Sequence, residues 1–448
     1  MKASHLLIAL VFATNMTATL RAQSGVLDLT TLHDYANQTV PAYITRNNTP
    51  GNNAITNAGA TLGRVLFYDK RLSRDDTISC ASCHQQAHGF GDTATASTGV
   101  AGTTGRHGMR LINARFAQEV RFFWDERATS LENQTTQPIQ NHVEMGFSGT
   151  LGDPAFADLV TKLSAIPEYR VLFAQTFGSA AITETLVQRA IAQFVRSIQS
   201  FDSRYDAGRT LAGADGPPFA NFTPSENGGK QLFLAPPPGG AGCAGCHRPP
   251  EFDIDPNSRN NGVITSIGGG TDLTNTRSPS LRDLAGPDGL PNGGMMHDGS
   301  FTTLAQVMNH YNLIPGDNTN LDPRLRRPGG AVQNLNLTVQ QRNDLAAFML
   351  TLTGSAVYSD EKWSNPFNAQ GELALIILPP AATTVQNNGN GTATITCAAA
   401  PGLTYQVESS NDLKIWTDAG SITADVNGML VHSVAIAPST FYRFTYTP

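Results

Sequence analysis

Charge is what this sequence has least of: Asp, Glu, Lys and Arg make up 15% of 448 residues, with 30 basic against 36 acidic side chains and a net charge of −6. That balance excludes a nucleic-acid or other polyanion-binding role. Cysteine is equally sparse. The five thiols, Cys80, Cys83, Cys243, Cys246 and Cys397, are too few for a disulfide framework, and they fall as two close pairs and one stray. Long apolar runs are missing too. Beyond the N-terminal stretch none approaches the roughly 20 residues that span a bilayer, and Leu373 to Leu378 stops at Pro379 and Pro380. No membrane span is expected. Glycine (42) and proline (26) are plentiful by contrast, and predict long ordered loops.

Residues 1–22 start with Met1 and Lys2, run through apolar Leu6 to Ala13 and reach small residues near Ala22, the layout of a cleaved secretory signal. The mature chain is therefore expected in the periplasm. Three regions follow, which the length accommodates at about one domain per 100 to 200 residues. In the first, 23–215, Leu186, Ala190, Phe194, Ile198 and Phe201 recur three or four apart and predict a helix with a buried face. The second, 216–365, opens on a Pro/Gly-rich stretch and closes on Leu345, Phe348, Met349 and Leu352, one helix face with Gly354 as its stop. The third, 370–448, changes character. Thr392 to Thr396, Thr404 to Glu408 and Tyr442 to Tyr446 are β-branched or aromatic runs between turn residues, and predict a small β-sandwich in which Cys397 is a buried thiol. The fold class is thus mainly α with a β appendage, whose role is read as structural.

The two close pairs carry the chemistry. Cys80-Ala81-Ser82-Cys83-His84 and Cys243-Ala244-Gly245-Cys246-His247 are both C-x-x-C-H, the spacing of c-type haem attachment. Thiols three apart on one helical turn reach the two vinyl groups of a porphyrin, and the next imidazole falls beneath its iron. Zinc ribbons separate their knuckles by about 15 to 20 residues, whereas Cys83 and Cys243 are 160 positions apart. A thioredoxin-like dithiol needs a βαβ setting that the flanks do not show. Two covalently bound haem c groups are therefore expected, on Cys80, Cys83 and His84 and on Cys243, Cys246 and His247, with the two histidines as iron ligands.

Around these motifs the sequence resembles the bacterial dihaem cytochrome c peroxidase family, including its methylamine-utilisation branch, MauG. The resemblance runs over residues 55–355 through Leu62-Gly63-Arg64-Val65-Leu66-Phe67-Tyr68-Asp69, Gly89-Phe90-Gly91-Asp92, Phe123-Trp124-Asp125, Val143-Glu144-Met145-Gly146 and His297-Asp298-Gly299. It implies two cytochrome c-like helical haem domains facing a shared interface, and reduction of hydrogen peroxide to water. It also implies that Glu144 sits over the first haem with Gln134 ten residues earlier, that Pro138 matches the MauG branch, and that Trp124 lies between the haems. A carboxylate over an apolar porphyrin has a raised pKa, which suits proton transfer near neutrality. Many members block the first iron with a histidine sixteen residues after the haem His; here that count reaches Val100, so a five-coordinate first haem is expected. His88, His107 and His142 are read as hydrogen-bonded loop residues. The family calcium takes an asparagine where Gly105-Arg106-His107 supplies His, a poor ligand for a hard cation, which leaves calcium only carbonyls and water. Arg277 and Arg282 are placed at haem propionates or at the domain interface.

At the second haem the family methionine, fourteen residues after His297, is replaced by Tyr311, the MauG-like iron ligand, with Met308 one helical turn away as its competitor. Thioether sulfur raises the reduction potential and phenolate oxygen lowers it. Three functions stand open. One is an exported peroxidase fed by a small cytochrome c or copper protein. Another is a MauG-like oxidase that uses peroxide-derived oxidising equivalents on a partner protein or organic substrate. The third is a non-catalytic dihaem electron carrier, against which the absent histidine at 100 and the presence of Glu144 both argue.

Overall fold

In a computed structural model, which describes residues 24–118, 120–254, 258–377, 381–425, 428–436 and 440–446, the chain builds one helix crossing twice. The expected secretory signal at residues 1–22 lies outside the described residues. In the first half the helix Asn57–Tyr68 packs across Glu184–Ser197; in the second, Pro224–Leu234 packs across Val339–Leu350. A glycine permits each crossing. A Cβ on Gly63 would run into the carbonyl of Ala190, and one on Gly229 into the carbonyl of Asp344. Four residues on, a phenylalanine of each first helix meets one of its partner: Phe67 and Phe194 have ring centroids 5.1 Å apart, Phe233 and Phe348 5.3 Å. The two backbones touch where no side chain intervenes, and the aromatic pair fills the next layer.

Local chemistry fixes the helix starts. Thr56, Thr183 and Thr338 each cap a free N–H, and Thr223, ahead of Pro224, forms a capping box with Glu226. The C-terminal ends differ from the periodicity. Glu184–Ser197 stops before Ile198 and Phe201, and Val339–Leu350 before Leu352, although Ile198 and Leu352 are fully buried. The apolar spacing continues past the last helical turn because loop residues fill the same core. Gly354 is not a helix stop but a close approach, its missing Cβ making room for Asp202 and Ser200.

Beyond the second crossing the chain returns to the first half. Trp363 is buried there with Nε1–H donating to Ser197 Oγ at 3.3 Å, Arg64 Nε–H donates to the Ser364 carbonyl at 2.6 Å, and Ala374–Ile376 pairs in parallel with Val26–Asp28. The β-rich C-terminal region follows as two three-stranded antiparallel sheets. One orders Thr417–Thr423, Thr404–Ser410 and Phe441–Thr445; the other orders Met429–Ala435, Thr392–Ala398 and Ala381–Asn387. Tyr405, Val407, Cys397 and Leu430 are buried in a core continuous with that of the first half. No helix among the described residues is long and apolar enough to cross a membrane.

Candidate active site

Each C-x-x-C-H run ends in an anchored imidazole. Cys80–Cys83 is a single helical turn in which the Ser79 N–H donates to Ser82 Oγ at 3.0 Å, and the His84 N–H donates to the Cys80 carbonyl at 2.9 Å. His84 Nδ1 lies 3.3 Å from the Phe90 carbonyl, in a loop where Gly89 and Phe90 both take positive φ. His247, after the turn Cys243–Gly245, sets Nδ1 3.0 Å from the Pro279 carbonyl. With Nδ1–H donating in both, Nε2 is the nitrogen left to an iron, the way a metal-bound histidine is held by its surroundings. Burial lowers the pKa of His84 and takes that of His247 down to about 4, so both imidazoles stay neutral, the form a metal would need.

Two cavities open beside these imidazoles and share a wall. One, of about 410 Å³, is lined by Cys83, His84, Gln134, Pro138 and Glu144. The other, of about 390 Å³, is lined by Cys243, Cys246, His247, Met308 and Tyr311. His107, Arg110, Trp124 and Arg277 line both. Neutral anchored imidazoles beside roomy cavities, with Cys83 on the first wall, Cys80 on a small pocket adjoining it, and Cys243 and Cys246 on the second wall, fit a tethered haem in each half. No group of three or more His, Cys, Asp or Glu that would hold a bare metal ion occurs among the described residues.

Comparison with known proteins decides the family. Residues 57–214 match the di-haem cytochrome c peroxidase family. The methylamine utilization protein MauG of Methylophilus methylotrophus is 30% identical over 317 residues, 69% of this chain and 86% of that protein. MauG of Methylorubrum extorquens is 32% identical, over 68% of this chain and 80% of that protein. The chain belongs to the di-haem cytochrome c peroxidase/MauG family. Among further relatives, the cytochrome c551 peroxidase of Nitrosomonas europaea is 28% identical over 72% of this chain and 84% of its own. A crystal structure of a MauG-like protein associated with microbial copper homeostasis superposes with a TM-score of 0.60 at 29% identity, covering 74% of this chain and all but 1% of that one. The chain is accordingly a cytochrome-c-peroxidase-like oxidoreductase of a family with two haem c groups, and the non-catalytic carrier is set aside.

In this di-haem peroxidase scaffold Gln134 and Glu144 reach one cavity from separate devices. Gln134 rides the short helix Leu131–Thr135, capped by Ser130 and tied to the first helix crossing by Glu132, which pairs with Arg196 (3.0 Å) and accepts from Asn53 (2.8 Å). Glu144 sits in a turn where Asn141 Oδ1 accepts from the N–H groups of Val143 (2.9 Å) and Glu144 (3.2 Å). Burial raises the Glu144 pKa, with Arg127 opposing. The hairpin Thr98–Gly99 with Gly102–Thr103 clamps this turn: Val100 N–H donates to the Glu144 carbonyl at 3.0 Å, and a Cβ on Gly99 would collide with the Val143 carbonyl. Position 100 is therefore a backbone clasp. His142 binds Asp153 (2.8 Å), and neither it nor His88 lines either large cavity.

Trp124 stands on the shared wall. Phe123 and Glu126 take positive φ around it, its Nε1–H donates to the His107 carbonyl at 2.7 Å, and its own carbonyl accepts from Arg277 N–H at 2.7 Å. His107 holds Nδ1 3.0 Å from the Ala94 carbonyl and 3.2 Å from that of Thr95, at the place where the resemblance puts calcium. Of the two places expected for Arg282, propionates or the interface between the regions, it takes the interface. It is fully buried against Asp206, two contacts of 2.9 Å, and lines neither cavity; Arg277 lines both.

In the second cavity Tyr311 and Met308, both on the helix Leu304–Asn312, line the same wall, and burial raises the Tyr311 pKa. Met295 and Met296 line it too and were not singled out from the sequence. Asn261 was also missed: its Nδ2–H₂ points at Tyr311 Oη (3.5 Å) and Met296 Sδ (3.4 Å), while its carbonyl accepts from His310 Nε2 at 2.9 Å. No local pattern marks it. His297 and Asp298 are structural, His297 Nε2 bonding the Thr265 carbonyl at 3.0 Å and Asp298 accepting from Ser300 Oγ at 2.8 Å.

Proposed function

We propose that the chain is an exported dihaem c-type peroxidase that reduces hydrogen peroxide to water in the first-half cavity, with electrons entering through the second half from a small cytochrome c or copper protein. Bound haem supplies the iron at which peroxide is taken up and the electrons that reduce it. The remainder falls to the chain's own residues. His84 and His247 would hold the two irons through Nε2. The Glu144 carboxylate accepts the proton of one peroxide oxygen and hands it to the other, so that the departing oxygen leaves as water; two protons and two electrons in all turn the peroxide into two waters. Gln134, on the same wall, orients the peroxide through its amide. Val100, clasped by its backbone, supplies no imidazole that would compete for the iron. Trp124 is the aromatic bridge on the wall common to both cavities.

The observation that carries this reading is the meeting of His84, Gln134 and Glu144 around one cavity of about 410 Å³. Its test is electron paramagnetic resonance of the oxidised two-haem protein followed by peroxide addition with a reduced donor. A high-spin signal beside a low-spin one, with turnover, supports it. Two low-spin signals and no turnover overturn it.

A second reading is favoured by Tyr311 on the wall of the other cavity. A phenolate ligand lowers the second potential and makes that haem a weak acceptor from ordinary cytochromes. The chain would then spend peroxide-derived oxidising equivalents on a partner protein or organic substrate through Trp124. Sluggish reduction of the second haem by reduced cytochrome, with peroxide still consumed, selects this reading over the first.

A further inference from the structure

The segment His107 to Arg110 runs along the wall between the cavities, and its last side chain is a cation without a counter-ion. Arg110 lines both cavities. Its Nη2–H donates to the Ser280 carbonyl at 3.0 Å, its Nε is buried with no hydrogen-bond partner, and among the described residues it makes no ion pair. Three other arginines on these walls have a carboxylate beside them: Arg106 has Asp272 at 2.7 Å, Arg127 has Asp125 at 2.8 Å and Arg324 has Asp322 at 2.7 Å. The charged or phenolic groups that act on Arg110, Asp283 and Tyr358, form no hydrogen bond or ion pair with it, although one Asp283 oxygen has no partner of its own. Asp283 Oδ1 accepts from Gly354 N–H at 2.8 Å and Tyr358 Oη from Asn292 at 2.8 Å. The chain also makes room for this side chain, since a Cβ on Gly91 would stand 2.9 Å from Arg110 Cγ.

A half-buried guanidinium left unpaired is costly, and a fork of N–H donors selects carboxylates. A haem offers two such groups on its propionate edge. We propose that Arg110 is a positioning residue shared by both haems, pairing with propionate carboxylates from the two cavities and fixing the two cofactors against their common wall. It rests on the dihaem reading above and adds the electrostatic consequence. A fixed positive charge beside both porphyrins disfavours the more positive oxidised iron, and so raises both reduction potentials together.

The test compares wild type with Arg110→Gln and Arg110→Lys, each produced with haem-attachment machinery, counted by intact mass and titrated spectroelectrochemically. Material without two attached haems in the wild type sinks the dihaem reading itself. With two haems attached, Arg110→Gln is expected to lower both midpoint potentials, each by about tenfold in the ratio of oxidised to reduced iron, about 59 mV for a one-electron couple. Arg110→Lys, which keeps the charge but not the fork, should recover most of that shift. Unchanged potentials in Arg110→Gln, or a shift confined to one haem, overturn the proposal. Should the Gln variant fail to accumulate, resonance Raman of the wild type decides. Propionate bending bands of hydrogen-bonded carboxylates on both haems support the pairing, and free-carboxylate bands on either one reject it.

Discussion

Single side chains decide the chemistry, and two are open to direct test. Glu144→Gln keeps shape and removes the proton acceptor. Haem attachment should be unchanged, while peroxide turnover falls by roughly 10² to 10⁴-fold, the range for a positioned acid–base group. Because burial raises the Glu144 pKa, the active carboxylate forms only as pH climbs above the ordinary carboxylate range. The wild-type rate should rise with pH through that limb and the Gln variant should show none. A limb that survives in the variant belongs to another group. Tyr311→Met should bring in a near-infrared thioether-to-iron band and raise the second potential. No spectral change would pass the ligand role to Met308, Met295 or Met296, which share that cavity wall. What was legible at this scale follows from range. The C-x-x-C-H runs could be read because attachment chemistry is confined to five consecutive residues, and Glu144 because a family register marks it. Arg110 and Asn261 could not, since each matters only through groups brought to it by the fold: Ser280 and the second cavity for one, Tyr311 for the other.

Between elements the controlling contacts are backbone to backbone. Gly63 and Gly229 let two helices touch at the Ala190 and Asp344 carbonyls, and a methyl group at either place must part them. Gly63→Ala and Gly229→Ala are each expected to destabilise by about 3 kcal/mol, the upper range for overpacking. Denaturant unfolding of the two-haem protein checks this by its midpoint. An unchanged midpoint for either variant would mean that its crossing is not tight. Helical stretches were visible in advance through Leu186, Ala190 and Phe194 or Leu345, Phe348 and Met349. Their ends were not, because Ile198 and Leu352 remain core residues after the hydrogen-bond ladder has stopped. The equivalence of the two crossings was hidden for a similar reason. It lies in a glycine meeting a carbonyl more than a hundred residues away, and sequence spacing along one helix carries no trace of that partner.

At the scale of the whole molecule the seam between the halves contains a buried acid. Asp283 is fully enclosed, takes positive φ (52°), and accepts Gly354 N–H on one oxygen while the other has no partner. Arg282 beside it is committed to Asp206, and Arg110 makes no ion pair with it. Burial therefore pushes the Asp283 carboxyl up to about 6 from the ordinary 3.8. Between those values the folded chain holds a proton that the unfolded chain has already released, so stability falls as pH rises across this window and stays reduced above it. Asp283→Asn keeps an acceptor for Gly354 and removes the titration. It should stabilise the protein at pH 7.5 by about 3 kcal/mol, and the gain should vanish near pH 4, where the wild-type acid is protonated in the folded state. Guanidinium unfolding at the two pH values measures the difference. Equal effects at both would mean that the carboxyl is ionised and compensated throughout, and that the seam is held by charge rather than by a neutral acid. The size of the gain also bears on Arg110, because a carboxylate freed at Asp283 is the nearest internal competitor for a guanidinium that otherwise faces the cavities. Below about pH 6, where Asp283 holds its proton, that cation is left to the cofactors on either side; above it the Asp283 carboxylate competes with them.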